Sequence, residues 1–113
     1  LTSQVKQTSI LQLTSFLNEW RTEGAFKAAS KYLTGDERPT TPASGYPVLV
    51  SGQVKSSEVV TLVSEDQFTV HVVLDLKFSG DPVAWGQGVN ERFVTFTRTS
   101  PTSPYLMYLA TGP

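Results

Sequence analysis

The stretch FTVHVVLDLKF, residues 68–78, decides the fold. Phe68, Val70, Val72, Leu74, Leu76 and Phe78 take every second position without a miss, while Thr69, His71, Asp75 and Lys77, with Val73, take the positions between. Successive side chains of a strand point to opposite faces, so this period of two predicts a β-strand with one wholly apolar face and one mostly polar face. Such a strand belongs in an antiparallel sheet that is packed on one side and wet on the other.

Working outward, SEDQ at 64–67 reads as a hairpin turn. Before it a long strand covers 48–63, with small residues at Gly52 and at Ser56–Ser57 where the chain can bulge or bend. After it, SGDPVAWGQG at 79–88 reads as a Gly-rich hairpin loop, 89–99 as a third strand, 100–104 as a turn and 105–110 as a last strand. Towards the N-terminus the period changes. Ile10, Leu13, Leu17 and Trp20, spaced by three or four with Phe16 beside them, predict a helix from a cap at Thr2 or Ser3 to about Arg21. Gly24 breaks it. Ala25, Phe26, Ala28, Ala29, Tyr32 and Leu33 form the apolar side of a second, shorter helix that Gly35 stops. DERPTTPASG at 36–45, with two prolines, reads as a surface loop crossing from helices to sheet.

Helices followed by an uninterrupted run of strands is the order of an α+β domain. The expectation is one domain over 1–113, with a helical part at 3–34, a loop at 35–46 and a sheet at 47–111. The N-terminal helices pack on a highly bent antiparallel sheet of about four strands. Its core is Leu13, Phe16, Leu17, Trp20, Phe26, Ala29, Leu33 and the even-numbered apolar residues from Phe68 to Phe78.

Composition narrows the function by exclusion. A chain of 113 residues, 39% hydrophobic and 17% charged, supports one modest core. The net charge of -1, with Lys and Arg scattered from Lys6 to Arg98, argues against nucleic acid as a partner. The absence of cysteine excludes thiol chemistry, disulfides and Cys-ligated zinc or iron–sulfur centres. No stretch approaches the ~20 apolar residues of a membrane span. Ser and Thr supply 26 of the 113 residues, which leans towards an extracytoplasmic setting. The sequence starts at Leu1 with neither a methionine nor a signal-peptide pattern, as a processed or excised fragment would. The expected setting is therefore the cell surface or an exported protein, anchored through a segment outside this stretch.

Candidate chemistry is sparse. His71 is the only histidine, so any His-based triad or two-His metal site would need it. Alternation puts it opposite the apolar face together with Asp75 and Lys77, as a solvent- or partner-facing residue, with Asp75 pairing with Lys77 or Arg92. No cofactor or metal is expected. An acid–base enzyme needs a carboxylate whose pKa is shifted by burial. Glu19 and Glu23 fall on helix surfaces, Asp36, Glu37 and Asp81 in loops, and Glu65 and Asp66 in a turn, which leaves Glu58 and Glu91 in or beside strands. The GQG at Gly86–Gly88 lacks a following helix and a lysine, so it is no phosphate cradle. Trp85, in a Gly-flanked loop, is either tucked over the core or displayed for a partner. In the last strand Tyr105, Met107 and Leu109 share one face and Leu106, Tyr108 and Ala110 the other. Both are apolar, so the strand is either central and covered or turns an outer face to another domain or subunit.

FLNEWRTEGAFKAASKYL (Phe16–Leu33), together with the hairpin-like pair FTVHVVLDLKF (Phe68–Phe78) and RFVTFTR (Arg92–Arg98), resembles the cystatin-like α+β cone of the nuclear-transport-factor-two-like superfamily. The third helix usual in many members has no counterpart, since residues 36–45 stand in its place, which implies a shallow or partly open cone. The superfamily includes isomerase- and cyclase-like enzymes, small-ligand binders and non-catalytic domains of exported bacterial proteins, among them assembly-factor domains of conjugation and type IV secretion machines. Fold membership does not choose among these. The expectation is a non-catalytic extracytoplasmic interaction or assembly domain of a bacterial exported or membrane-anchored protein, with Trp85, Tyr105 and Tyr108 as contact residues for a protein partner or for self-association. The alternative is a small-molecule binder or isomerase/cyclase-like enzyme that uses the cone pocket, with Glu58 or Glu91 as its acid or base. The unbroken apolar face of residues 68–78 argues against that small-molecule reading.

Overall fold

The computed structural model describes residues 1–34, 47–82 and 84–112. Two helices, α1 (Thr2–Glu23) and α2 (Ala25–Tyr32), precede four strands, β1 (Val48–Ser64), β2 (Gln67–Ser79), β3 (Gly88–Thr97) and β4 (Leu106–Ala110). The strands form an open antiparallel sheet in the order β1-β2-β3-β4, and the helices pack on one of its faces. This is the α+β arrangement that the order of elements predicts.

β2 lies at the heart of the sheet and alternates as its sequence does. Phe68, Val70, Val72, Leu74, Leu76 and Phe78 are all buried, at 0–4% exposure. The register places Phe68 opposite Phe96 of β3, and their rings stack with centroids 5.0 Å apart. Burying an aliphatic or aromatic side chain contributes about 1.5–3 kcal/mol, so this one strand anchors the core.

β1 departs from simple alternation in a regular way. Its inward residues Leu49, Gly52, Val54, Ser57, Val59 and Leu62 face Phe78, Leu76, Leu74, Val72, Val70 and Phe68 in turn. Their spacing is alternately three and two, because the register slips at Leu49/Ser51, Val54/Ser56 and Val59/Thr61, and again at Leu62/Ser64. The additional residues Val50, Lys55, Val60 and Val63 therefore lie outside the pairing, and all four are exposed. Each bulge bends and twists the strand, which lets the 17 residues of β1 follow the 13 of β2. β1 is also an edge strand, and a repeatedly bulged edge is a poor template for a foreign strand. Gly52 belongs to the inward set. A Cβ there would lie 3.0 Å from Leu76 Cδ2 and 3.5 Å from Leu17 Cδ1, so the missing side chain is the space that α1 and β2 fill.

α1 buries Val5, Ser9, Leu13, Phe16, Leu17 and Trp20, a stripe that reaches farther towards the N-terminus than the one expected from Ile10 onward. Neither Thr2 nor Ser3 caps it. Leu1 occupies the N-cap with no side-chain bond, and Thr2 and Ser3 are exposed within the first turn. Gly24 ends it as expected, with φ 97°, in the left-handed region that favours glycine, and its N–H donates to the Trp20 carbonyl at 3.0 Å. In α2 the fully buried residue is Ala28, whereas Phe26 and Ala29 are half-buried. α2 lies against α1 and the β4 end of the sheet, and the small Ala28 permits the close approach. After α2, Leu33 makes a parallel bridge to Met107, and the Thr34 N–H donates to the Met107 carbonyl at 2.9 Å. The expected stop at Gly35 and the loop at 35–46 lie outside the described residues.

Candidate interaction surface

The two faces of the sheet have opposite characters. On the helix side the residues of β2, Val94 and Phe96 of β3 and Met107 of β4 are buried. On the outer side the register lines up Glu58, His71, Phe93 and Ala110 in one row across all four strands, and Thr61, Thr69, Thr95 and Tyr108 in the next. Ser56, Val73 and Glu91 form the adjoining row. The Thr69 and Thr95 hydroxyls are 2.8 Å apart, and the His71 ring lies 4.9 Å from that of Phe93. His71 Nε2 is 3.2 Å from Glu91 Oε1. Tyr108 is 47% exposed in this face, beside half-buried Phe93 and Ala110. The apolar centre of the surface is therefore Phe93, Ala110 and Tyr108, with the His71–Glu91 pair between it and Val73.

The three aromatic contact candidates have different surroundings. Tyr108 stands open on the outer face. Trp85 is half-buried, 5.5 Å from the Trp20 ring, with the Arg92 guanidinium 4.1 Å over its own ring, so this loop tryptophan is tucked back over the core. Tyr105 lies just before β4 on the helix side, edge-on to Phe68 and Phe96. Its hydroxyl donates to the Glu65 carbonyl at 2.5 Å, and the Arg98 guanidinium sits 4.6 Å over its ring. Burial pushes the Tyr105 phenol above its usual pKa, and the Arg98 charge partly opposes that shift. Arg98 also donates to Asp66 at 2.6 Å, which raises its own pKa and ties the β1–β2 turn to the segment after β3. The structure thus separates the three: one faces outward, and two help close the core.

Other expectations resolve as follows. Among the described residues β4 is the last strand in the sheet order, with the Leu33 bridge beside it, and not a central one. Arg92 cannot pair with Asp75, because Arg92 faces the helix side and Asp75 the outer side. Glu58 and Glu91 both point outward, with side chains 70% and 65% exposed, and Glu58 meets Lys6 of α1 at 3.5 Å. Neither lines a buried pocket among the described residues. Ser51, Gln53, Asp75 and Lys77, with Gly52, line an open groove of about 370 Å³ whose walls are hydroxyl, amide, carboxylate and ammonium. Among the described residues no helix is long and apolar enough to cross a membrane.

Alternation in β2 already put Val73 on the outer face, whereas Phe93 escaped the sequence reading as a surface residue. In RFVTFTR the inward set begins with a charged Arg92 and the outward set with Phe93, so the polarity of that first pair is inverted relative to the rest of the strand. Aligning β3 with β2 by the Phe68–Phe96 pair would have exposed the inversion. Comparison with protein-family models, with curated proteins and with solved structures finds no match to this chain.

Proposed function

We propose that this chain is an interaction domain that works through the outer face of its sheet and carries out no reaction of its own. One observation carries the reading. The helix-facing side of the sheet is filled by buried side chains, whereas the outer side presents Phe93, Ala110 and Tyr108 as an apolar centre beside the His71–Glu91 pair, Thr69 and Thr95. An apolar centre with a polar rim is the anatomy of a protein interface, and aromatic residues dominate the energetics of such centres. Within this reading the domain serves an extracytoplasmic assembly in an exported or membrane-anchored bacterial protein, for which conjugation and type IV secretion machines are the example. The cysteine-free, Ser/Thr-rich composition and the likeness of the sequence pattern to nuclear-transport-factor-two-like cones support that setting.

The test is site-specific photocrosslinking in the full-length protein in its native host. A crosslinker at Tyr108 should give discrete protein adducts, whereas one at exposed Thr14 on α1 should not. Equal labelling from both sites, or no adduct from Tyr108, would refute the outer face as the working surface.

A further inference from the structure

A charged group on the helix side of the sheet has no part in the interaction reading. Arg92 is 9% exposed. Its Nη1 donates to the Glu91 carbonyl at 2.8 Å and its Nη2 to the Ala84 carbonyl at 2.6 Å, and its third contact is the Trp85 ring. All three partners are neutral. Among the described residues the ion pairs involve Lys6, Lys27, Lys31, His71 and Arg98, but not Arg92. Burial lowers its pKa, and among the described residues no acidic neighbour opposes the shift. Buried charges are ordinarily paired, because the lost hydration must be replaced.

The loop between β2 and β3 has anchors of its own at both ends. The Gln87 side-chain amide accepts from the Phe78 N–H and donates to the Phe78 and Gly80 carbonyls. The Asn90 amide accepts from the Gly86 N–H and donates to the Gly86 and Gly88 carbonyls. These bonds anchor the two ends of the loop, at Phe78–Gly80 and Gly86–Gly88, while Arg92 holds Ala84 and Trp85 between them. Ala84, whose carbonyl Arg92 takes, is the one described non-glycine residue with a positive φ, at 68°. Strained backbone of this kind concentrates at ligand sites.

Position and valence add two further points. β4 pairs with Phe93–Thr97 of β3, so residues 88–92 have no strand partner on that side among the described residues and Arg92 lies at a step in the sheet. The two carbonyls take two of the five guanidinium N–H groups, and among the described residues the other three have no acceptor. We propose that Arg92 and Trp85 form a binding site for a small monocarboxylate with an apolar body. The spare guanidinium edge receives the carboxylate, and the indole receives the apolar part. A single guanidinium matches a single negative charge, which favours a carboxylate over a phosphate dianion.

The test uses sodium benzoate as probe and benzamide as its neutral isostere, with the ¹⁵N resonances of the Arg92 Nε–H and the Trp85 indole N–H as readout. Benzoate should shift both saturably and benzamide neither. R92M should lose the response, R92K should weaken it, and Phe93→Ser on the outer face should leave it intact, which separates this site from the interaction reading. No saturable shift with benzoate, an equal shift with benzamide, or a response that persists in R92M would overturn the proposal. If R92M does not fold, the benzoate and benzamide arms on the unaltered protein decide it alone.

Discussion

Ser57 Oγ of β1 and Ser9 Oγ of α1 lie 2.8 Å apart, and both residues are shut off from solvent where the helix meets the sheet. Ser9 donates its one hydroxyl proton to the Lys6 carbonyl at 2.6 Å, so Ser57 is the donor in the pair. The bond lies opposite Val72 in the register and ties α1 to the bulged strand.

Removing one partner should therefore cost more than removing both. Ser9→Ala leaves the Ser57 hydroxyl buried without its acceptor and should destabilise by about 1–3 kcal/mol. The double variant Ser9→Ala/Ser57→Ala should recover most of that loss, since two methyl groups can share the space. Urea unfolding of the cycle measures the coupling, and strictly additive losses would contradict the assigned bond.

Leu74→Ala should cost about 2–5 kcal/mol, because Leu74 is fully buried between Val54 and Asn90. Val73→Ala, one residue away but on the outer face, should cost about 1 kcal/mol or less. A one-residue slip of β2 would exchange the two results, so the pair of denaturation midpoints tests the register directly.

Asn90 holds the Gly86–Gly88 turn through three hydrogen bonds while only 6% exposed. Asn90→Ala should destabilise by about 1–3 kcal/mol and release Trp85 from Trp20. The expected signature is a red-shifted tryptophan emission at temperatures where far-ultraviolet circular dichroism still shows a folded chain. Unchanged emission would mean that Trp20 and Trp85 hold the loop by themselves.

Tyr105 predicts the alkaline limb of stability. Its folded pKa is raised by burial, so the contribution is fully present below the unfolded value of about 10 and is lost as pH rises through the folded value. In the unfolded chain the phenol ionises first, and in the folded chain ionisation also removes its bond to the Glu65 carbonyl. Tyr105→Phe should flatten the fall in thermal midpoint across that alkaline window. An unchanged slope would assign the alkaline loss to other groups.

Local pattern accounts for what was legible in the sequence. The helix stripe of Leu13, Phe16, Leu17 and Trp20, the break at Gly24 and the unbroken alternation from Phe68 to Phe78 are each set by residues within a few positions of one another. Their periods follow from backbone geometry alone. The α+β order and the inward face of β2 were therefore readable before any contact was known, as was the outward placement of His71 and Asp75 on its opposite face.

Pairing between distant strands decided the rest. Val50, Lys55 and Val60 became extra residues only because β1 must follow the register and twist of β2, so its alternation of three and two carries no signal in its own sequence. Arg92 went inward and Phe93 outward because Phe96 stacks on Phe68 and fixes the face of every residue in β3, against the polarity of that one pair. The same long-range pairing put β4 at the end of the sheet, tucked Trp85 onto Trp20 and left Tyr108 in the open. Sequence determined which segments are helix and strand, because that depends on neighbours along the chain. Tertiary structure determined which aromatic and charged groups face water, because that depends on the register of strands far apart in sequence.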